Sequence, residues 1–180
     1  MSDAVLDLSE DDLTRSLAYA GFVLLAFELV KSLIVNPIKL FYQDTTFSSG
    51  PFNSYKLDVL SRHKNEFEAC LLYLRDFMKA IDSDDVLAIQ GLRKHRNELA
   101  HDLPSKLKNL NVNSYAPLLD SVDKALFKLS NYRTYMEIGH DPEFHDKGID
   151  WDTVYGTEYM IFKEVVEKVK ILQEGTKLRA

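Results

Sequence analysis

The stretch Ser83–Pro104, SDDVLAIQGLRKHRNELAHDLP, decides the fold. It opens on Ser83-Asp84-Asp85, short polar and acidic side chains that suit the start of a helix. Val86, Ile89, Leu92 and Leu99 then recur at helical spacing, and Pro104 closes the segment by disfavouring helix at Leu103. The same grammar extends in both directions. Ser9, followed by Glu10, Asp11 and Asp12, opens a first helix that runs through Leu17, Phe22, Leu25, Leu29 and Leu33 to a bend or stop at Asn36-Pro37. Near Phe22–Leu25 that helix is apolar almost all round, as a helix covered on several sides would be, and subunit contact is one way to cover it. Residues 44–53 read as a loop. A second helix is expected from Ser54 to about Ala80, with Leu57, Leu60, Phe67, Leu71, Leu74 and Met78 as its stripe. A short connection over 105–113 leads to a fourth helix from about Ser114 to Glu137. The polar loop from Gly139 to Asp150 precedes a last helix from about Thr153 to Gln173, with Val154, Met160, Ile161, Val165 and Val169 apolar.

Long amphipathic segments joined by modest loops predict an all-α antiparallel bundle of about five helices. Seven glycines and five prolines in 180 residues favour this over a turn-rich β architecture. The length suits one domain over residues 1–180. A formal charge of −6 argues against a general nucleic-acid coat protein, although only the charge at a site matters to a nuclease. The single cysteine, Cys70, lies in a helical pattern and reads as a buried structural thiol. One cysteine rules out an intramolecular disulfide framework and suggests a reducing compartment. The acidic Met1-Ser2-Asp3 start shows no signal peptide, and Glu28 and Lys31 interrupt the apolar run 17–35. The expected setting is the cytoplasm, with no membrane.

The third helix carries the chemistry. Arg96 is followed at once by a short polar residue, Asn97, and five positions later by His101. On a straight helix, residues five apart are separated by about 140°, so the pair needs a helix terminus, which Pro104 supplies. Arg93, Lys94, His95, Lys106 and Lys108 make the segment locally basic, opposed by Glu98 and Asp102. A histidine can move protons near neutrality, and a guanidinium can hold charge on phosphate oxygens.

This run, with Leu99 and Ala100 before the histidine and Pro104 after it, resembles the R-[polar]-x-x-x-H signature of the HEPN superfamily, and the helical architecture extends the resemblance over the chain. HEPN proteins are small all-helical domains, many of them metal-independent RNases. The resemblance implies catalytic roles for Arg96, Asn97 and His101, with Arg96 stabilising phosphate charge, His101 acting as general acid/base and Asn97 orienting the histidine or donating to phosphate. It implies RNA contacts from Arg93, Lys94, His95, Lys106 and Lys108, no metal and no cofactor. Cleavage would use the RNA 2′-hydroxyl and leave a 2′,3′-cyclic phosphate and a 5′-hydroxyl. The resemblance further implies a homodimer whose two Arg–His pairs line one cleft, in a toxin–antitoxin or anti-phage setting with a possible antitoxin or defence partner. Leu103 stands where one branch of the superfamily carries a modifiable tyrosine, so that mode of control is not expected. A catalytically silent HEPN-like module for dimerisation, partner or nucleotide binding is the alternative.

Other candidates carry less. Arg133 and His140 repeat the pair at a looser spacing, without the basic cluster. His140 and His145 with Asp141, Glu143 and Asp146 match no standard metal spacing and read as solvated loop residues, and His63 reads as a solvated face. Tyr132, Tyr135, Phe144, Trp151 and Tyr155 suit either base stacking or ordinary packing.

Overall fold

The computed structural model describes residues 9–44, 46–47, 50–51, 54–106 and 115–174. Within them the chain is all-α: α1 (Glu10–Asp44), α2 (Tyr55–Asp58), α3 (Glu66–Asp76), α4 (Ser83–Lys106), α5 (Ala116–Ile138) and α6 (Thr157–Glu174). A two-residue antiparallel ladder, β1 (Thr46–Phe47) with β2 (Gly50–Pro51), sits in the segment expected to be loop. The helix α1 is the axis of the bundle and touches α3, α4, α5 and α6. Its Val23, Val30 and Ile34 are fully enclosed, as are Leu71 of α3, Ile89 and Leu92 of α4, Leu126 of α5 and Phe162 of α6. That central position is why its sequence is apolar nearly all round.

Ser9 caps α1 as expected, its Oγ accepting the Asp12 amide at 3.1 Å. The helix does not stop at Asn36-Pro37 but continues to Asp44, a span of about 52 Å at 1.5 Å per residue. Pro37 removes one backbone bond, at a cost of about 3 kcal/mol. Burial of Val35 and Ile38 on either side offsets it, and beyond them the Tyr42 hydroxyl donates to Asp58 at 3.0 Å. The most apolar 18-residue window of α1 has a mean hydropathy of 1.9, long and apolar enough to cross a membrane, and 56% of that window is buried within the bundle.

The second expected helix is divided. After α2 and a 3₁₀ turn at Leu60–Arg62, His63 is extended and Asn65 restarts the chain, its side chain accepting the Glu68 amide at 3.2 Å. Local side-chain bonds compete with the helix here: Arg62 Nε donates to the Asp58 carbonyl at 2.7 Å, and His63 Nδ1 accepts the Asn65 amide at 3.0 Å. Past α3 the chain turns through Lys79 at φ 57°, and the Ala80 amide donates back to the Leu74 carbonyl at 3.0 Å, which satisfies the helix end.

The start of α4 is also corrected by one residue. Asp82, not Ser83, is the cap: its Oδ1 accepts the amides of Asp84 and Asp85 at 2.9 and 3.0 Å. Asp85 Oδ2 accepts the Asp82 amide in return at 3.0 Å, a reciprocal capping box. Lys128 of α5 reaches both carboxylates at 2.7 Å and ties the two helices together. On α6 the core face is Tyr159 and Phe162, whereas Met160 and Ile161, expected on the apolar stripe, are exposed.

Candidate functional site at the end of the fourth helix

The C-terminal half of α4 crosses α1 and α3, and the three helices set the positions of its polar side chains. Phe27 of α1 and Phe67 of α3 meet at 5.5 Å between ring centroids. Arg96 lies over Phe27 and Arg93 over Phe67, at 5.4 and 5.5 Å from guanidinium carbon to ring centroid. The two cations are thus carried on one buried aromatic pair, a contact that orients a guanidinium and still leaves its edge available for donation. Each also has a carboxylate. Arg93 donates to Glu68 at 2.5 Å, and Gln90 holds the other Glu68 oxygen at 2.8 Å. Arg96 stands 3.6 Å from Glu28 and donates to Asn97 Oδ1 at 3.2 Å, while its Nε is buried with no acceptor.

His101 is exposed, on the last helical residue before Asp102, whose φ of −133° and ψ of 23° break α4. The break therefore falls two residues before Pro104, not at Leu103, and helix resumes to Lys106. Ser105 steadies the kink by donating to the Asp102 carbonyl at 2.9 Å and to its carboxylate. Because His101 is still helical, it does not swing round to Arg96, and no hydrogen bond joins the two among the described residues. Asn97 contacts Arg96 through its carbonyl oxygen, so its observed role is to orient the arginine and not the histidine.

Two expected RNA contacts change. His95 is buried at 3% exposure: its Nε2 lies 2.9 Å from the Tyr19 hydroxyl, and its ring stacks on Tyr115 at 3.6 Å. Burial pushes the Tyr19 hydroxyl well above the ordinary tyrosine range, so Tyr19 keeps its proton and can donate to the imidazole. His95 is consequently a core residue that cannot reach a substrate. Arg93 is turned toward α3 and neutralised by Glu68, which reduces the local basic patch. Lys94 is exposed. Lys108 and the Lys106 side chain lie outside the described residues. The sequence reading missed Phe27, Glu28 and Tyr19, all on α1, since nothing local to the motif names its partners across the bundle.

The second pair is committed elsewhere. Arg133 donates to Glu137 at 2.7 Å and to Glu158 at 2.8 Å, and His140 packs 5.1 Å from the Tyr135 ring. Trp151 also packs on Tyr135, and Tyr155 packs on Phe127 and Tyr159, so this aromatic cluster fills the junction of α5, α6 and the loop between them. No group of three or more His, Cys, Asp or Glu residues stands ready to hold a metal ion among the described residues. A cavity of about 100 Å³ between α5 and α6, lined by Leu119, Asp120, Asp123, Lys163, Val166 and Glu167, is well below the roughly 300 Å³ of a small-molecule site. No family model matches the sequence, and no curated protein or solved structure is significantly similar to it.

Proposed function

We propose that this protein is a metal-independent endoribonuclease of HEPN type, acting in the cytoplasm in a toxin–antitoxin or anti-phage system, with a composite site built by two copies. The observation that carries the reading is the presence, on one helix end, of a preoriented guanidinium and an exposed imidazole. Arg96 is fixed by Phe27 and Asn97, and His101 stands on the last turn before the Asp102 break. In this mechanism an imidazole takes the proton of an RNA 2′-hydroxyl as that oxygen forms a bond to phosphorus. The P–O5′ bond breaks, a proton passes to the leaving oxygen, and Arg96 donates to the charged phosphoryl oxygens in between. Two protonation states are needed at once, and one chain offers one imidazole at this helix end. A second copy supplies the other, which also accounts for Arg96 and His101 not meeting within a single chain.

The test is incubation of the purified protein with structured RNA in EDTA. Cutting is expected, with His101→Ala slowing it by about 10² to 10⁴ and Arg96→Ala by about 10² to 10³. Undiminished cutting by both variants rejects the assignment.

One observation favours the alternative, a silent helical module. Both arginines of the segment already have carboxylate neighbours, Glu28 and Glu68, where a substrate phosphate would have to bind. On that reading, expression of the wild type and of His101→Ala would be equally harmless to a host, and RNA would stay intact.

A further inference from the structure

Among the exposed residues of α1, those at positions 10, 14, 17, 21, 24, 28 and 31 lie alternately four and three apart and form one continuous stripe along the N-terminal two-thirds of the helix, with Asp11 and Leu25 beside it. Its ends are charged, but its middle is not. Leu17, Leu24 and Leu25 are 47%, 37% and 42% exposed, and between them Gly21 has nothing within 4 Å of the place a Cβ would occupy. Scattered surface leucines need no explanation, whereas three around a glycine on one stripe make a docking face. This helix is otherwise enclosed by four others, and this is the face they leave.

We infer that this face docks a second copy of the chain, with the two α1 helices antiparallel and crossing at Gly21. The charge pattern selects that occupant and that direction. Glu10 and Asp11 mark the N-terminal end of the stripe, and Lys31, an exposed cation 3.8 Å from Glu28 of its own chain, marks its C-terminal end. An antiparallel crossing at Gly21 sets Leu17 against Leu25, Thr14 against Glu28 and Asp11 against Lys31. A parallel crossing would put Asp11 on Asp11 and Glu28 on Glu28, like charge on like. The antiparallel arrangement is self-complementary about a two-fold axis, as a closed dimer requires. Gly21 at the crossing lets the axes approach to the near end of the usual 8–10 Å range (about 8 Å). Glu28, on the same stripe, is the carboxylate beside Arg96, so the docking face adjoins the site described above. The inference deepens the two-copy half of the proposed function and rests on that reading only in linking the face to RNA cleavage.

The test is the mass of the full-length protein by light scattering and sedimentation equilibrium, with thermal unfolding as a control for folding. The wild type should be a dimer. Leu24→Glu should give a folded monomer. Gly21→Gln should raise thermal stability, because a helical glycine is replaced at an open position, while weakening self-association by about tenfold or more. Lys31→Glu should weaken the dimer to a similar degree (about tenfold), and Asp11→Lys added to it should recover most of the loss. A monomeric wild type overturns the inference, as does a dimer indifferent to changes at positions 21, 24 and 31. Wild-type binding to anionic phospholipid vesicles that Leu24→Glu abolishes, without any self-association, would assign the face to lipid and also overturn it. A dimer of the expected behaviour that leaves RNA intact would reject the nuclease and keep this surface, whereas a monomer that cuts RNA would do the reverse.

Discussion

Replacing Tyr19 with Phe removes one hydroxyl from the core and nothing else. The ring is 2% exposed and keeps its contacts with Phe22 and Tyr115, at 6.4 and 6.2 Å between centroids, so no cavity forms. What is lost is the bond to His95 Nε2, inside a site where His95 is itself 3% exposed. Leaving a buried polar atom without its partner costs about 1–3 kcal/mol. For a chain of this size each kcal/mol lowers the melting temperature by about 2–4 °C, so a fall of about 2–12 °C is expected. Urea unfolding followed by circular dichroism should show a lower midpoint at unchanged slope. A second background sharpens the test. In His95→Leu the Tyr19 hydroxyl has already lost its imidazole partner, so removing it there should be neutral or stabilising. A cost below about 0.3 kcal/mol in the wild type, or an equal cost in both backgrounds, would refute the placement of His95 as a core residue bonded to Tyr19.

Three further outcomes follow from the same packing. Cys70 is fully buried, burial raises its thiol above the ordinary range, and the Tyr55 hydroxyl lies 3.4 Å away; reaction with an aromatic disulfide should be at least about a hundredfold slower than after unfolding, and immediate labelling of native protein would contradict this. Asp82 is held down to about 2 by Lys128 and by the amides it caps, below its unfolded value of about 3.9. Its stabilisation is therefore complete above about pH 4 and disappears between about 4 and 2; Lys128→Met should flatten the pH dependence of stability in that window, and parallel curves would contradict the linkage. Glu28→Gln removes the carboxylate beside Arg96 and should tighten RNA binding by no more than about fivefold, the 0–1 kcal/mol of a half-exposed ion pair; weaker binding would show that Glu28 does not compete with phosphate.

The helical class and the order of the long helices were legible because apolar residues repeat at helical spacing across nearly the whole chain. What escaped was decided across the bundle. Pro37 reads locally as a stop, yet burial of Val35 and Ile38 carries the helix past it. The stretch from Ser54 to Ala80 has an unbroken apolar stripe, but His63 and Asn65 spend their side chains on local backbone bonds and divide it. His95 offered a signal that its charge class obscured. It continues the buried stripe of Ile89, Leu92 and Leu99 at helical spacing, and position on that stripe outweighs residue type. Arg93 and Arg96 could be named from the motif, but their partners Glu68 and Glu28 lie 25 and 68 residues away in the chain, where no local pattern points.

The central claim is that Arg96 and His101 cut RNA through its own 2′-hydroxyl. End-group analysis of RNA fragments after incubation in EDTA tests it most directly. The account predicts 2′,3′-cyclic phosphate and 5′-hydroxyl ends from the wild type, falling by about 10² to 10⁴ in yield per unit time for His101→Ala. Fragments ending in 5′-phosphate, or equal yields from wild type and variant, would contradict it.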